Sequence, residues 1–178
     1  MPTKHPDTAE LIAGLNQDLA NEYASVIQYR TYASTVRGPH RLTLKPMFEG
    51  EISDELSHAA RLADAIAALG GTPTTRPMPV NTAESPMQMV QEAARAELGA
   101  IARYVERRQQ AEQAGEHGLA VDIDDIIADE TRHRDELQLL LEDREAGAHA
   151  QTRAAERPQR ESARGRATAD QSVTAQSR

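Results

Sequence analysis

The sequence contains no cysteine among its 178 residues. This absence excludes disulfides, thiolate metal sites and rubredoxin-type iron centres, and it fits a reducing compartment. Long apolar runs are also missing, since no stretch approaches the roughly 18 apolar residues of a transmembrane helix. The N-terminal segment 1–6 lacks the apolar middle region of a secretory signal. We therefore expect a soluble, cytoplasmic protein without a membrane partner, in which oxygen and nitrogen atoms hold any metal.

The net charge of −8 is distributed unevenly along the chain. The segment 144–178 carries seven arginines against four acidic residues, a balance of +3, so residues 1–143 carry −11. An acidic body disfavours non-specific binding to nucleic acid and suits the gathering of cations, although acidic surfaces also serve solubility alone. The segment 144–178 is polar and has almost no large apolar side chains, and we expect a disordered tail there.

Apolar residues recur at helical spacing in four segments of the remaining chain. The first helix is predicted from about Thr8 to Val36, and a second stripe begins at Phe48 and stops at Gly70-Gly71. Ser85-Pro86 is typical of the start of a third helix, and a fourth follows the break at 115–118. The extended stretch between Gly70 and Ser85 is just long enough to run back along a helix. We therefore predict an all-α four-helix bundle in residues 1–143, with a long crossover between helices 2 and 3.

The pattern I-x-D-E-x-x-H occurs twice, 75 residues apart, at 52–58 and 127–133. The same offset relates Glu22 to Glu97 and Tyr29 to Tyr104. Six potential metal ligands thus form two sets of three, namely Glu22, Glu55 and His58, and Glu97, Glu130 and His133. Such a repeat indicates a duplicated helix pair.

Every predicted helix carries a glutamate on its apolar stripe, which is costly unless the charge is matched. Four converging carboxylates would repel one another, whereas two divalent cations turn that repulsion into attraction. In E-x-x-H both ligands project to one face of the helix, and carboxylate with imidazole suits Fe, Mn or Zn. Asp54 and Asp129 are each placed to accept the far ring N–H of a ligand histidine.

These motifs resemble those of the ferritin-like superfamily, and of bacterioferritin-like proteins in particular, over residues 8–142. The resemblance rests on Asn21-Glu22 with Gln28-Tyr29, on the motif around Glu55 and His58, on the single Glu97, and on the motif around Glu130 and His133. It implies a ferritin-like bundle that holds two iron ions per subunit, with manganese as the alternative metal.

The resemblance further implies a role for each ligand, with Glu22 and His58 serving one iron, Glu97 and His133 the other, and Glu55 and Glu130 bridging the two. Tyr29 corresponds to the family tyrosine beside the diiron centre, which implies a catalytic role as an electron donor. Core packing, with a hydroxyl bonded to a ligand carboxylate, is compatible with that role. For Tyr23, Tyr32 and Tyr104 the sequence favours core or interface positions.

Two departures from bacterioferritins limit what the resemblance implies. Leu56 stands where haem-binding members have their haem-ligand methionine, so we expect no haem. The polar tail does not resemble the short fifth helix that helps to close their shell, which leaves shells of 12 or 24 subunits, or smaller oligomers, open.

The function implied is ferroxidase activity with iron storage, in which Fe(II) is oxidised by O2 or H2O2 at an intrasubunit site within a homo-oligomeric shell. One alternative is a Dps-like mini-ferritin that protects DNA, which the small charge of the tail and a ligand set within one subunit make less favoured. Another is a di-metal enzyme that stores nothing, similar to manganese catalases or oxygenases. A metal-free structural bundle is the least favoured.

Overall fold

The computed structural model describes residues 6–142, which form four helices and no strand. Helix α1 spans Pro6–Thr35, α2 spans Arg41–Ala68, α3 spans Pro86–Gln113 and α4 spans 117–142. The predicted all-α bundle is therefore confirmed. Helix α2 begins before the predicted stripe, because Leu44 adds a further buried turn. Helix α4 begins inside the predicted break, so that Gly118 is helical.

The helix ends follow from local capping chemistry. The Ser85 side chain accepts a hydrogen bond from the backbone N–H of Gln88, whose side chain accepts in return from the Ser85 N–H. This capping box, with Pro86 in the first turn, fixes the start of α3. Helix α2 ends at Ala68, and Gly70 follows with φ +72°, a conformation that side chains disfavour.

The crossover between α2 and α3 is attached to α1. The backbone N–H of Thr74 donates to Asn16 Oδ1 at 2.7 Å, and that of Met78 donates to the Ala20 carbonyl at 2.8 Å. Further along, Gln28 and Tyr32 both donate to the Asn81 carbonyl at 3.1 Å. The segment thus runs back along α1, and α2 and α3 are parallel to each other.

The apolar core is concentrated where the start of α1 meets the end of α2. Leu11, Leu15 and Leu19 of α1 are fully buried in one cluster with Leu62 and Ile66 of α2. Ala100 and Tyr104 of α3, and Ile123 and Ile126 of α4, complete this cluster. All four helices therefore bury their stripes against one another, which is the main source of the bundle's stability.

The chain divides into two compact units, Met1–Gln138 and Leu139–Arg178. The first contains α1, α2, α3, most of α4 and every residue of the candidate site described below. Of the second unit only residues 139–142 are described. The predicted tail at 144–178 lies outside the described residues, as does its boundary with the bundle. None of the described helices has the length and apolar character needed to cross a membrane.

Candidate metal centre

The six side chains proposed as ligands meet in the middle of the bundle. Each is at most 4% exposed, and they come from all four helices: Glu22 from α1, Glu55 and His58 from α2, Glu97 from α3, and Glu130 and His133 from α4. Their position on the buried stripes follows from helical spacing, since residues three, four and seven apart share a face.

Ligand atoms of these residues fall into two compact groups. One contains Glu22, Glu55, His58 and Glu130, and the other contains Glu97, Glu130 and His133, with the atoms of each group within 4.8 Å of one another. Glu130 belongs to both groups, as expected of a bridging carboxylate. Glu55 belongs only to the first group, so the geometry places its counterpart Glu130 between the two groups but not Glu55 itself.

The two histidines point the same ring nitrogen inward. His58 Nδ1 lies 3.2 Å from Glu130 Oε1 and 3.5 Å from Glu55 Oε2, and His133 Nδ1 lies 3.5 Å from Glu130 Oε2. The two rings are stacked, with centroids 6.4 Å apart. Both Nδ1 atoms are therefore in position to bind a cation between the helices.

The outer nitrogen of each histidine faces the aspartate of the other repeat. His58 Nε2 lies 3.4 Å from Asp129 Oδ2, and His133 Nε2 lies 3.3 Å from Asp54 Oδ2. An Nε2–H that donates to a carboxylate leaves the lone pair on Nδ1. The aspartates thus select the tautomer suited to metal binding, and they link α2 to α4 across the site.

Glu51 also reaches the site, although it is not part of the repeated motif and was not predicted as a ligand. Its Oε2 lies 3.1 Å from His133 Nδ1, and it forms a third group of possible ligands with Asp54 and His133. The signal was present, because Glu51 lies four residues before Glu55 and so on the same helix face. The residue 75 positions later is Ile126, and Glu51 therefore breaks the twofold symmetry of the repeat.

Each tyrosine of the repeat forms a hydrogen bond with the first glutamate of the other repeat, Glu22 or Glu97. The Tyr29 hydroxyl donates to Glu97 Oε1, and the Tyr104 hydroxyl donates to Glu22 Oε1. Burial, together with the charge of the neighbouring glutamate, raises the pKa of both phenols well above 10.0. Tyr104 is buried as expected of a core residue, but its hydroxyl occupies the same relation to the site as that of Tyr29.

A buried ion pair holds α1 against α3 beside the site. Arg107 Nε lies 2.7 Å from Asp18 Oδ2, and both residues are at most 4% exposed. The Arg107 guanidinium passes so close to Gly14 that a Cβ atom there would overlap it. Asp18 lies one turn before Glu22, so this pair helps to fix the register in which Glu22 meets Tyr104.

The centre carries more buried polar atoms than its own hydrogen bonds satisfy. Both carboxylate oxygens of Glu55 and of Glu130, and Nδ1 of His58 and of His133, are buried without a hydrogen-bond partner. Burial and the neighbouring carboxylates raise the pKa values of Glu55 and Glu97 well above 4.5. Unpaired buried charges of this kind are destabilising unless a cation or a proton compensates them.

The buried imidazole at position 58 responds to the same carboxylates. Burial alone would lower the pKa of His58, but contacts with Glu130, Glu22 and Glu55 outweigh it and raise the pKa to about 12. Contacts with His133 and His58 lower the pKa of Glu130 although burial opposes this. A proton or a cation can each compensate the buried carboxylates, and the donor set of carboxylates and imidazoles fits divalent transition-metal ions.

Sequence and structure comparisons point to a single family. The chain matches the ferritin-like domain family over residues 12–146. A crystal structure of ferritin-like, diiron-carboxylate proteins from Bacillus anthracis str. Ames is 49% identical, with a TM-score of 0.76, covering 77% of this chain and 99% of that one. No curated protein gave a significant match.

Two further structures are more distant. The bacterioferritin-related protein of Bacteroides fragilis, described as a dodecameric thioferritin, is 28% identical with a TM-score of 0.69, covering 76% of this chain and 86% of that one. A Dps protein from Bacillus brevis is 22% identical with a TM-score of 0.74, covering 78% and 99%, and shows the fold alone. With four helices of this arrangement, a buried carboxylate and histidine cluster and these matches, the chain belongs to the ferritin-like family.

Proposed function

We propose that this protein is a ferroxidase that oxidises Fe(II) with O2 or H2O2 at the intrasubunit centre and stores the ferric product in a closed homo-oligomer. The observation that supports this most strongly is the pair of ligand groups that share Glu130. Two cations bound to a common carboxylate can deliver two electrons to one oxidant molecule. Two electrons reduce O2 to hydrogen peroxide, or hydrogen peroxide to two water molecules.

The charges of the centre suit ferrous iron as the substrate. The four candidate ligand glutamates carry four negative charges when ionised, which balance the charge of two divalent cations in a buried site. Glu51 adds a fifth negative charge on the side of His133, and additional negative charge favours the ferric product over the ferrous substrate. Oxidation is therefore favoured by the side chains that bind the iron. Manganese accepts the same ligands and remains the alternative metal.

Entry of Fe(II) requires protons to leave. The raised pKa values of His58, Glu55 and Glu97 mean that these groups keep their protons to a higher pH in the metal-free protein than the same side chains do in water. Each proton must be displaced before the corresponding atom can bind a cation, so cation affinity should rise with pH. Asp54 is half exposed and adjoins His133, which gives these protons and the incoming cations a connection to solvent.

Assembly into a shell is supported by apolar side chains that a single chain leaves in water. Leu42 is 88% exposed, Leu98 is 57% exposed and Leu56 is 50% exposed. A symmetric homo-oligomer would cover such side chains if they lie at its subunit contacts. The relative from Bacteroides fragilis is described as dodecameric. A shell of 12 subunits, or of 24, is accordingly part of the proposal.

Oxidation of Fe(II) under air tests the proposal directly. We expect metal-free protein loaded anaerobically with two Fe(II) per chain to oxidise them rapidly when air is admitted, as followed by ferric absorbance. Further Fe(II) should accumulate as a mineral inside a particle of several hundred kilodaltons on size exclusion. Rapid oxidation by a monomer or dimer that retains no iron would instead favour a stand-alone di-metal enzyme. Oxidation no faster than in buffer would reject the ferroxidase.

A further inference from the structure

Three of the four tyrosines are fully buried, and their hydroxyls differ in what accepts the proton. Tyr29 donates to Glu97 and Tyr104 donates to Glu22, so both phenols face a carboxylate of the centre. Tyr32 donates to the backbone carbonyl of Asn81 at 3.1 Å. Tyr29, Tyr32 and Tyr104 are each at most 1% exposed, so burial does not separate them.

The acceptor decides whether a buried phenol can lose an electron. One-electron oxidation makes a phenol strongly acidic, so the electron leaves readily only if the proton has a base to move to. A carboxylate can take that proton along an existing hydrogen bond. A peptide carbonyl is far too weak a base for this purpose. The environment therefore equips Tyr29 and Tyr104 for oxidation and does not equip Tyr32.

Reduction of O2 all the way to water, rather than to hydrogen peroxide, requires two such donors. Complete reduction of O2 to two water molecules takes four electrons, and two Fe(II) ions supply only two. One tyrosine leaves the balance one electron short, whereas two complete it. The repeat places one phenol against each terminal glutamate, which matches the missing two electrons.

We propose that Tyr104 is a second one-electron donor to the centre, equivalent to Tyr29, so that one O2 is reduced to two water molecules in a single turnover. This inference rests on the proposed ferroxidase activity. Two Fe(II), two tyrosines, one O2 and two protons from solvent give two Fe(III), two tyrosyl radicals and two water molecules. Each phenolic proton passes to its hydrogen-bonded carboxylate, Glu97 or Glu22, and from there contributes to the water formed. Fe(II) and tyrosine are oxidised, and O2 is reduced.

The two radicals should be distinguishable because their surroundings differ. The Tyr29 ring packs at 5.9 Å from the Phe48 ring, with the planes tilted by 40°. At the position 75 residues after Phe48 the chain has Ile123, so Tyr104 has no aromatic partner there. The negative charge of buried Asp18 contributes to the raised pKa of Tyr104, after burial and the charge of Glu22. Different ring orientations and fields give different hyperfine patterns.

Rapid-freeze electron paramagnetic resonance tests the inference on the full-length protein. Samples loaded with two Fe(II) per chain are mixed with O2 and frozen, and tyrosyl spins are counted. We expect Tyr104→Phe to lose one of two components and about half of the spins, Tyr29→Phe to lose the other, and the double variant to lose both. Tyr32→Phe is the matched control and should retain both components. An unchanged spectrum in Tyr104→Phe would overturn the inference.

Release of hydrogen peroxide gives a second readout. The wild type should release little peroxide, whereas the double variant can supply only two electrons and should release one H2O2 per O2 consumed. Stoichiometric peroxide release by the wild type would overturn the inference while leaving ferroxidase activity intact. Absence of any Fe(II) oxidation would reject the proposed function, and the inference with it.

A purely structural role for Tyr104 makes a different prediction. Loss of its hydroxyl would then displace Glu22 and weaken cation binding, which Co(II) titration monitors without any redox step. We expect the Co(II) affinity of Tyr104→Phe to stay within a few-fold of the wild-type value while its radical component disappears. A large loss of affinity that accounts for slower oxidation, with the remaining radical signal unaltered in shape, would assign Tyr104 a positioning role alone.

Discussion

Replacing Glu55 by glutamine separates the stability of the metal-free fold from its capacity to bind cations. Glu55 is 1% exposed, and neither of its carboxylate oxygens has a hydrogen-bond partner. Glutamine keeps the shape of the side chain and removes its charge. We expect the variant to be more stable than the wild type without metal, and to gain much less stability than the wild type when cations are added.

The direction of the first effect, and its dependence on pH, follow from the raised pKa of Glu55. Burial, followed by the charge of Glu22, raises this pKa well above 4.5, its usual value. Below pH 4.5 the carboxyl is protonated in both the folded and the unfolded chain, so glutamine confers no advantage in stability. As the pH rises above this value, the folded chain must keep the proton or bear a buried charge, and it loses at most about 1.4 kcal/mol of stability per pH unit relative to the glutamine variant. The advantage of glutamine should therefore grow with pH.

The second effect follows from linkage between binding and folding. A cation at about 100 times its dissociation constant adds about 2.7 kcal/mol to the free energy of unfolding of the protein that binds it. We expect this gain in the wild type with Mn(II) or Co(II), and little of it in Glu55→Gln.

Urea denaturation with and without cation, at pH 5 and pH 7, measures both effects. Glu84→Gln is the matched control, because Glu84 is exposed and lies outside the ligand groups. It should behave like the wild type throughout. Metal-free Glu55→Gln that is no more stable than the wild type at pH 7, or equal stabilisation of both proteins by cations, would show that Glu55 neither strains the empty site nor binds the cation.

Two further substitutions test separate features of the site and its support. Glu51→Gln should lower the affinity for a cation at His133 by roughly 10–100-fold, while the affinity at the other position is unchanged. A Co(II) titration should then show two resolved steps. A single unchanged step would exclude Glu51 from the site. Gly14→Ala should displace the Arg107 guanidinium from its buried ion pair and cost about 3–5 kcal/mol in urea denaturation. Gly50→Ala, at an open helical position where a Cβ meets nothing within 4 Å, should instead stabilise by up to about 1 kcal/mol, and equal effects of the two alanines would refute the close approach at Gly14.

The sequence predicted the fold well because the information is local and repeated. Apolar stripes at helical spacing specify four amphipathic helices, and Ser85-Pro86 and Gly70 mark ends that the structure retains. The sequence predicted helix starts less accurately where no capping residue marks them. Helix α2 begins at Arg41 with His40 as an N-cap that makes no side-chain hydrogen bond, so its first turns are held by packing that a pattern does not reveal.

Only the part of the candidate site that follows the 75-residue repeat could be predicted from the sequence. The repeat identified six residues that the structure brings together, and it related Tyr29 to Tyr104. Pairing across the repeat was hidden, because each aspartate faces the histidine of the other motif and this depends on how α2 crosses α4. Glu51 was missed because it has no counterpart in the second repeat, although its spacing from Glu55 puts it on the same face.

Anaerobic titration of the metal-free protein with Fe(II) measures binding at the buried carboxylate and histidine cluster before any oxidation occurs. We expect tight saturation near two Fe(II) per chain, with protons released as the metal binds. Glu130→Gln should abolish tight binding of both ions, because Glu130 alone belongs to both of these ligand groups. If the wild type binds no Fe(II), or if Glu130→Gln binds Fe(II) as tightly as a wild type that does, the two ligand groups that share Glu130 are not the ferrous site.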